Sequence, residues 1–168
     1  MIKSLTGFIG CGKSSVGRRL SELLCCRFMD LDDLVEEKAG KSVREVFAEN
    51  GEGAFRSLEL NTLRDILATE YEGVLALGGG TVMTPECAEM AKEKTLCIYL
   101  KASVDTLMKH LANEVEKRPL LATSTDPHLR IVELVSQRSS TYEKTANIII
   151  DIDDKSIEQI CSEIKNRI

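Results

Sequence analysis

Gly7-Phe8-Ile9-Gly10-Cys11-Gly12-Lys13-Ser14 is the stretch whose reading decides the fold. It has the form G-x-x-x-x-G-K-S, and each fixed position has a physical task. The glycines let the backbone fold tightly enough for successive N–H groups to face one phosphate chain. Lys13 brings a mobile cation to the β- and γ-phosphates, and the Ser14 hydroxyl can take a place on Mg2+. The flanks agree with this reading. Residues 2–6 suit a short strand leading in, and residues 15–24 suit a helix leading out. That helix sets Val16, Leu20, Leu23 and Leu24 on one face, with Arg18, Arg19 and Glu22 on the other. Its positive N-terminal end faces the phosphates. Gly10, Cys11, Gly12, Lys13, Ser14 and Ser15 are therefore the expected phosphate contacts, and the expected ligand is a nucleoside triphosphate.

Outward from the loop, short apolar runs alternate with helical patterns. Residues 74–77, 95–100 and 146–150 read as buried strands, and residues 27–29 as a shorter one. Helical periodicity falls near 31–39, 43–50, 53–69, 85–92, 103–111, 127–144 and 155–167. The alternation predicts a single α/β domain, with a parallel five-stranded sheet and helices on both faces. Ligands of such sheets gather beyond the carboxyl ends of the strands. The informative residues do follow strands: the loop at 7–14, then Asp30-Leu31-Asp32-Asp33, then Gly78-Gly79-Gly80. Two stretches stand outside the alternation. Residues 41–69 insert two helices joined around Gly51-Glu52-Gly53, read as a substrate-binding cap. Residues 112–126 are polar, carry Arg118-Pro119-Leu120-Leu121, and are read as a mobile lid.

Composition removes several function classes. At 168 residues the chain makes one domain with a substantial core. A net charge of −5 argues against a nucleic-acid groove. No run of 18 apolar residues is present, which argues against a membrane span. A strand beginning at residue 2 leaves no room for a targeting segment, so a cytoplasmic protein is expected. The six cysteines form no C-x-x-C pair and have only His110 and His128 for company, which favours reduced thiols over disulfides or a metal site. Cys11 is the one thiol with a candidate regulatory role, because oriented N–H groups in the loop favour a thiolate.

Each candidate site residue has a plainer alternative. Asp30, Asp32 and Asp33 can all serve the first turn of a helix, and capping accounts for Asp33. Two acids converging on a phosphate loop are better explained as chemistry. One holds a Mg2+ water and the other accepts the proton of an attacking hydroxyl. Arg56 can pair with Glu52 or Glu59 as an ordinary helix arginine, or grip an anionic acceptor in bidentate fashion. Three consecutive glycines, Gly78, Gly79 and Gly80, cost backbone entropy and suit a substrate that approaches the main chain closely. Arg118 can swing onto the transferring phosphoryl group, and Arg138 sits on a later helix; either can also be a surface charge.

Taken in order, GFIGCGKS at 7–14, Asp30-x-Asp32, Phe47…Gly51-Glu52…Phe55-Arg56, LGGG at 77–80, RPLL at 118–121 and Arg138…Tyr142 resemble a shikimate kinase over nearly the full chain. The resemblance implies transfer of the ATP γ-phosphate to the 3-hydroxyl of shikimate, a step toward chorismate and the aromatic amino acids. It implies that Arg56 and Arg138 bind the shikimate carboxylate, while Asp32 and the Gly79–Gly80 backbone hold its hydroxyls. It further implies Mg2+ at Ser14 and Asp30, and phosphate neutralisation by Lys13 and Arg118. The family's adenine-stacking arginine has no counterpart in Lys109-His110-Leu111, and Asp151-Ile152-Asp153-Asp154-Lys155 adds no recognisable adenine contact. Another P-loop small-molecule kinase, acting on gluconate or a nucleotide, is the rival reading among enzymes, and a nucleotide-binding regulatory module the rival outside them. A monomer is expected.

Overall fold

The computed structural model of the chain describes residues 1–112 and 126–168. Residues 113–125 of the expected lid, Arg118 among them, lie outside the described residues. In chain order the elements are β1 (Lys3–Thr6), α1 (Lys13–Leu23), β2 (Arg27–Asp30), α2 (Leu31–Ala39), α3 (Val43–Leu67) and β3 (Gly73–Ala76). A 3-10 turn (Thr81–Met83) leads to α4 (Pro85–Lys94), β4 (Leu96–Lys101), α5 (Val104–Leu111), α6 (Pro127–Thr145), β5 (Ile148–Asp151) and α7 (Ile157–Lys165).

Among the described residues the strand pairings are all parallel, in the order β2-β3-β1-β4-β5. Apolar runs such as Val74-Leu75-Ala76 are buried from end to end because helices cover both faces of the sheet. The faces follow from handedness. β1 to β2 crosses the sheet one way, whereas β2 to β3, β3 to β4 and β4 to β5 cross it the other way. Right-handed connections therefore put α1 on one face and α3, α4, α5 and α6 on the opposite one. Contacts agree: α1 packs on α7, and α4 packs on both α3 and α6. Leu5, Leu75 and Ile98 lie at the centre of the sheet, all wholly buried.

Strands and helices fall within a residue or two of their sequence-predicted places, with instructive departures. The first helix begins at Lys13, inside the phosphate loop, and its Leu23 and the adjoining Leu24 are only half-buried. The two helices expected at 43–50 and 53–69 are both present within α3, separated as expected by a kink at Gly51, whose φ of 81° and ψ of 173° are not helical. Phe47 and Phe55 close that break from either side, with ring centroids 4.6 Å apart. The cap of α2 is Asp30, not Asp33: the Asp30 side chain accepts from the Asp32 N–H. Asp33 lies in the first turn, as the dipole reading expected, and faces Arg18 at 3.9 Å.

All six cysteines are free. Burial pushes the Cys97 thiol up to about 11. It pushes the Cys87 thiol up to about 12, and both behave as small apolar fillers.

The end of α1 carries a local cost. Cys25 sits at φ 51°, and the Cys26 and Cys25 amides reach back to the Ser21 and Glu22 carbonyls. Those two bonds are the glycine-favouring helix stop with a cysteine in the left-handed position. Replacing Cys25 with glycine is expected to stabilise the fold by about 0.5–1 kcal/mol, the left-handed penalty less glycine's extra unfolded entropy. Urea denaturation reads this as a higher midpoint, and a lower midpoint would contradict it.

Candidate active site

The carboxyl ends of β1, β2 and β3 open onto one cavity of about 520 Å³, a usual size for a small-molecule site. The turn after β1 forms its floor. Gly10 and Gly12 take φ of 85° and 90°, positions that a side chain would strain. The Cys11 amide donates to the Phe8 carbonyl, and the Cys11 residue is only 1% exposed. Lys13 Nζ donates to the Gly7 and Phe8 carbonyls at 2.8 and 3.1 Å. Gly12, Ser14 and Ser15 line the same wall. His110 of α5 braces the loop, its Nδ1 donating to the Gly10 carbonyl at 2.6 Å.

Asp30 ties the second strand to this floor. Its Oδ2 accepts from the Ser14 hydroxyl at 2.5 Å, while Oδ1 takes the Asp32 amide at 3.0 Å. With its proton given to Asp30, Ser14 Oγ keeps its lone pairs for a cation. Both are hard oxygen donors of the kind Mg2+ takes alongside phosphate oxygens and water. Asp33 stands apart on the exposed side. Its pKa is raised, first by burial and then by the Asp30 charge.

At the far end, acids and arginines converge over the glycine run. A methyl group at Gly78 would lie 2.8 Å from Asp32 Oδ1 and 2.9 Å from both Glu59 Oε1 and Thr81 Oγ1. At Gly80 it would collide with the Arg56 guanidinium. Gly78 and Gly80 thus make room for the protein's own polar side chains, while a methyl group at Gly79 would meet Ile9.

Arg56 makes the helix pairings the sequence offered and also borders the cavity. One edge of its guanidinium binds Glu59 at 2.8 Å, Glu52 lies 3.6 Å from Nη2, and the side chain still lines the cavity. Arg138 of α6 reaches the same end, 8% exposed, with its guanidinium 5.9 Å from the Phe8 ring centroid. Its Nη1 lies 3.5 Å from the Gly79 carbonyl, at the long limit of a hydrogen bond. The Tyr142 hydroxyl donates to that same carbonyl.

Three residues of the site escape the sequence reading. Glu59 figures there only as a partner for Arg56. It is wholly buried, and it also accepts from the Thr81 hydroxyl at 2.5 Å. A signal exists, since Phe55, Glu59, Thr62, Leu63 and Ile66 share the buried stripe of α3 and an acid there needs a reason. Tyr142 belongs to a quoted motif but has no task in it. His110 offers no periodic signal, being exposed in the last turn of α5. Beyond the loop the cavity continues past His110 to Ile152, Lys155 and Ile157.

Among the described residues no helix is long and apolar enough to cross a membrane. The family model described as shikimate kinase matches residues 9–168. The shikimate kinase of Dictyoglomus turgidum is 40% identical over 167 residues, covering 98% of this chain and 95% of that protein. That of Thermus thermophilus is 36% identical over 165 residues, covering 98% of this chain and 88% of its own length. The solved shikimate kinase from Acinetobacter baumannii in complex with shikimate superposes with a TM-score of 0.93 at 28% identity, covering 99% of this chain and 91% of that one.

Proposed function

The chain belongs to the shikimate kinase family, and on that premise we propose how its residues carry out the ATP-dependent phosphorylation of shikimate. The reaction yields shikimate 3-phosphate, a step of aromatic amino acid biosynthesis. One observation supports the division of labour above all others. Asp32, Arg56, Arg138 and the Gly78–Gly80 backbone line the same cavity as the phosphate loop, so acceptor and donor meet without a gap to cross.

Shikimate enters with its carboxylate toward Arg56 and Arg138 and its hydroxyls toward Asp32 and the Gly79–Gly80 main chain. Arg56 is suited to this because Glu59 orients its planar fork from behind. ATP lies along the loop, its phosphates over Gly10, Cys11, Gly12, Ser14 and Ser15, with the base toward His110, Ile152 and Ile157. Asp32 takes the proton of the 3-hydroxyl as that oxygen bonds to the γ-phosphorus and the bond to the β–γ bridging oxygen breaks, leaving ADP. Lys13 neutralises the charge that gathers on the transferring group. Arg118, outside the described residues, shares that task by family resemblance. Mg2+ held at Ser14, with Asp30 reached through water, would supply charge neutralisation on the β- and γ-phosphates. Positioning and electrostatics carry nearly all of such a transfer.

The test is ADP release with shikimate, quinate, gluconate or no acceptor, each with Mg2+ and with excess EDTA. Release confined to shikimate with Mg2+ is expected. Release with gluconate but not shikimate would overturn the acceptor assignment, and full release in EDTA would overturn the metal.

A further inference from the structure

The Gly79 carbonyl receives the Tyr142 hydroxyl, with Arg138 Nη1 standing 3.5 Å away from the same atom. These donors come from one helix, α6, across 63 residues of sequence in the case of Tyr142. A trans peptide is planar, with its C=O and N–H on opposite sides. Holding the Gly79 carbonyl toward α6 therefore turns the Gly80 N–H away from Tyr142. Turn hydrogen bonds from Thr81 and Met83 hold the Gly78 and Gly80 carbonyls, but neither Gly79 nor Gly80 has a side chain to lock the peptide between them.

Tyr142 itself is firmly seated. It is 1% exposed and stacks on Tyr99 of β4, with ring centroids 5.1 Å apart. Tyr99 pairs in register with Thr6, the last residue before the phosphate loop. The phenol thus stands on the strand ends that carry the loop and reaches from there to the acceptor wall. Burial raises its pKa, which keeps the hydroxyl a donor at neutral pH.

We infer that Tyr142 is a positioning residue of the acceptor site, fixing the Gly79–Gly80 peptide so that the Gly80 N–H is presented to the acceptor. The inference rests on the reading above that this backbone touches the acceptor. Tyr142 meets no reacting atom; it acts through Gly79.

Tyr142→Phe keeps the ring and removes the hydroxyl, and Tyr99→Phe is a matched control one ring away. Y142F is expected to raise the shikimate KM about tenfold, to change kcat less than about threefold and to leave the ATP Kd unaltered. Y99F should leave all three unaltered. A Y142F enzyme with shikimate KM within twofold of wild type overturns the inference, as does an equal loss of ATP affinity, which marks general loosening. If wild type proves to use another acceptor, the shikimate assignment fails separately, and the same KM ratio measured with that acceptor decides the role of Tyr142. Should Y142F not fold, wild-type amide NMR decides: the Gly80 amide must shift on adding acceptor, and an indifferent Gly80 amide overturns the inference.

Discussion

Asp32→Asn is expected to lower kcat about a hundredfold or more, with acceptor KM and ATP affinity changed less than about threefold. The substitution is nearly isosteric, so it separates proton acceptance from shape. Backbone placement does not depend on the side chain, because the Asp32 N–H is anchored on Asp30 Oδ1. The amide can still hydrogen-bond to a hydroxyl of the acceptor, which preserves the ground-state complex. What it cannot do is take the proton as the hydroxyl oxygen attacks. A loss seen in kcat and kcat/KM alike is the signature of an interaction made only in the transition state. Single-turnover kinetics should accompany the steady state, so that slow product release does not hide the chemical step. A loss below fivefold would make Asp32 a residue that orients the acceptor and nothing more.

Arg56→Lys is expected to raise the shikimate KM by an order of magnitude or more while kcat falls much less. The guanidinium is asked to do two things at once. One edge is committed to the wholly buried Glu59 at 2.8 Å, and the rest lies against Gly80 in the cavity. A planar fork with five donors can hold both partners; a lysine ammonium is a single point on a flexible stem. It can satisfy Glu59 or the acceptor carboxylate, and a buried carboxylate left without its cation is costly enough that Glu59 wins. Acceptor binding then loses a bidentate, charge-assisted contact. Titration of shikimate against initial rate at saturating ATP checks this. An unchanged KM would assign Arg56 to the internal pair with Glu59 alone.

Helix and strand positions were legible because they depend on neighbours close in sequence. The apolar run at 74–77 and the Leu107–Leu111 spacing declare their burial without knowledge of what covers them. Where the reading slipped, a competing local bond had decided. Asp30 rather than Asp33 caps α2 because the chain leaves β2 in an extended conformation at residue 30, the geometry a cap requires. The kink at Gly51 was legible in the Gly51-Glu52-Gly53 run, whereas the Phe47–Phe55 contact across it was not, because that contact needs both helices in place.

The phosphate loop and the parallel α/β class were determined by sequence alone, since glycine spacing and apolar periodicity act over a few residues. Only tertiary structure decided the strand order β2-β3-β1-β4-β5, which sets the loops after β1, β2 and β3 around one cavity. It alone brought Glu59 to Thr81 and Tyr142 to Gly79, and it alone revealed that Gly78 yields space to Asp32 and Glu59 and Gly80 to Arg56. The physical reason is range. A hydrogen bond between groups far apart in the chain exists only once the core has packed and removed water from both, and no local pattern records that distance.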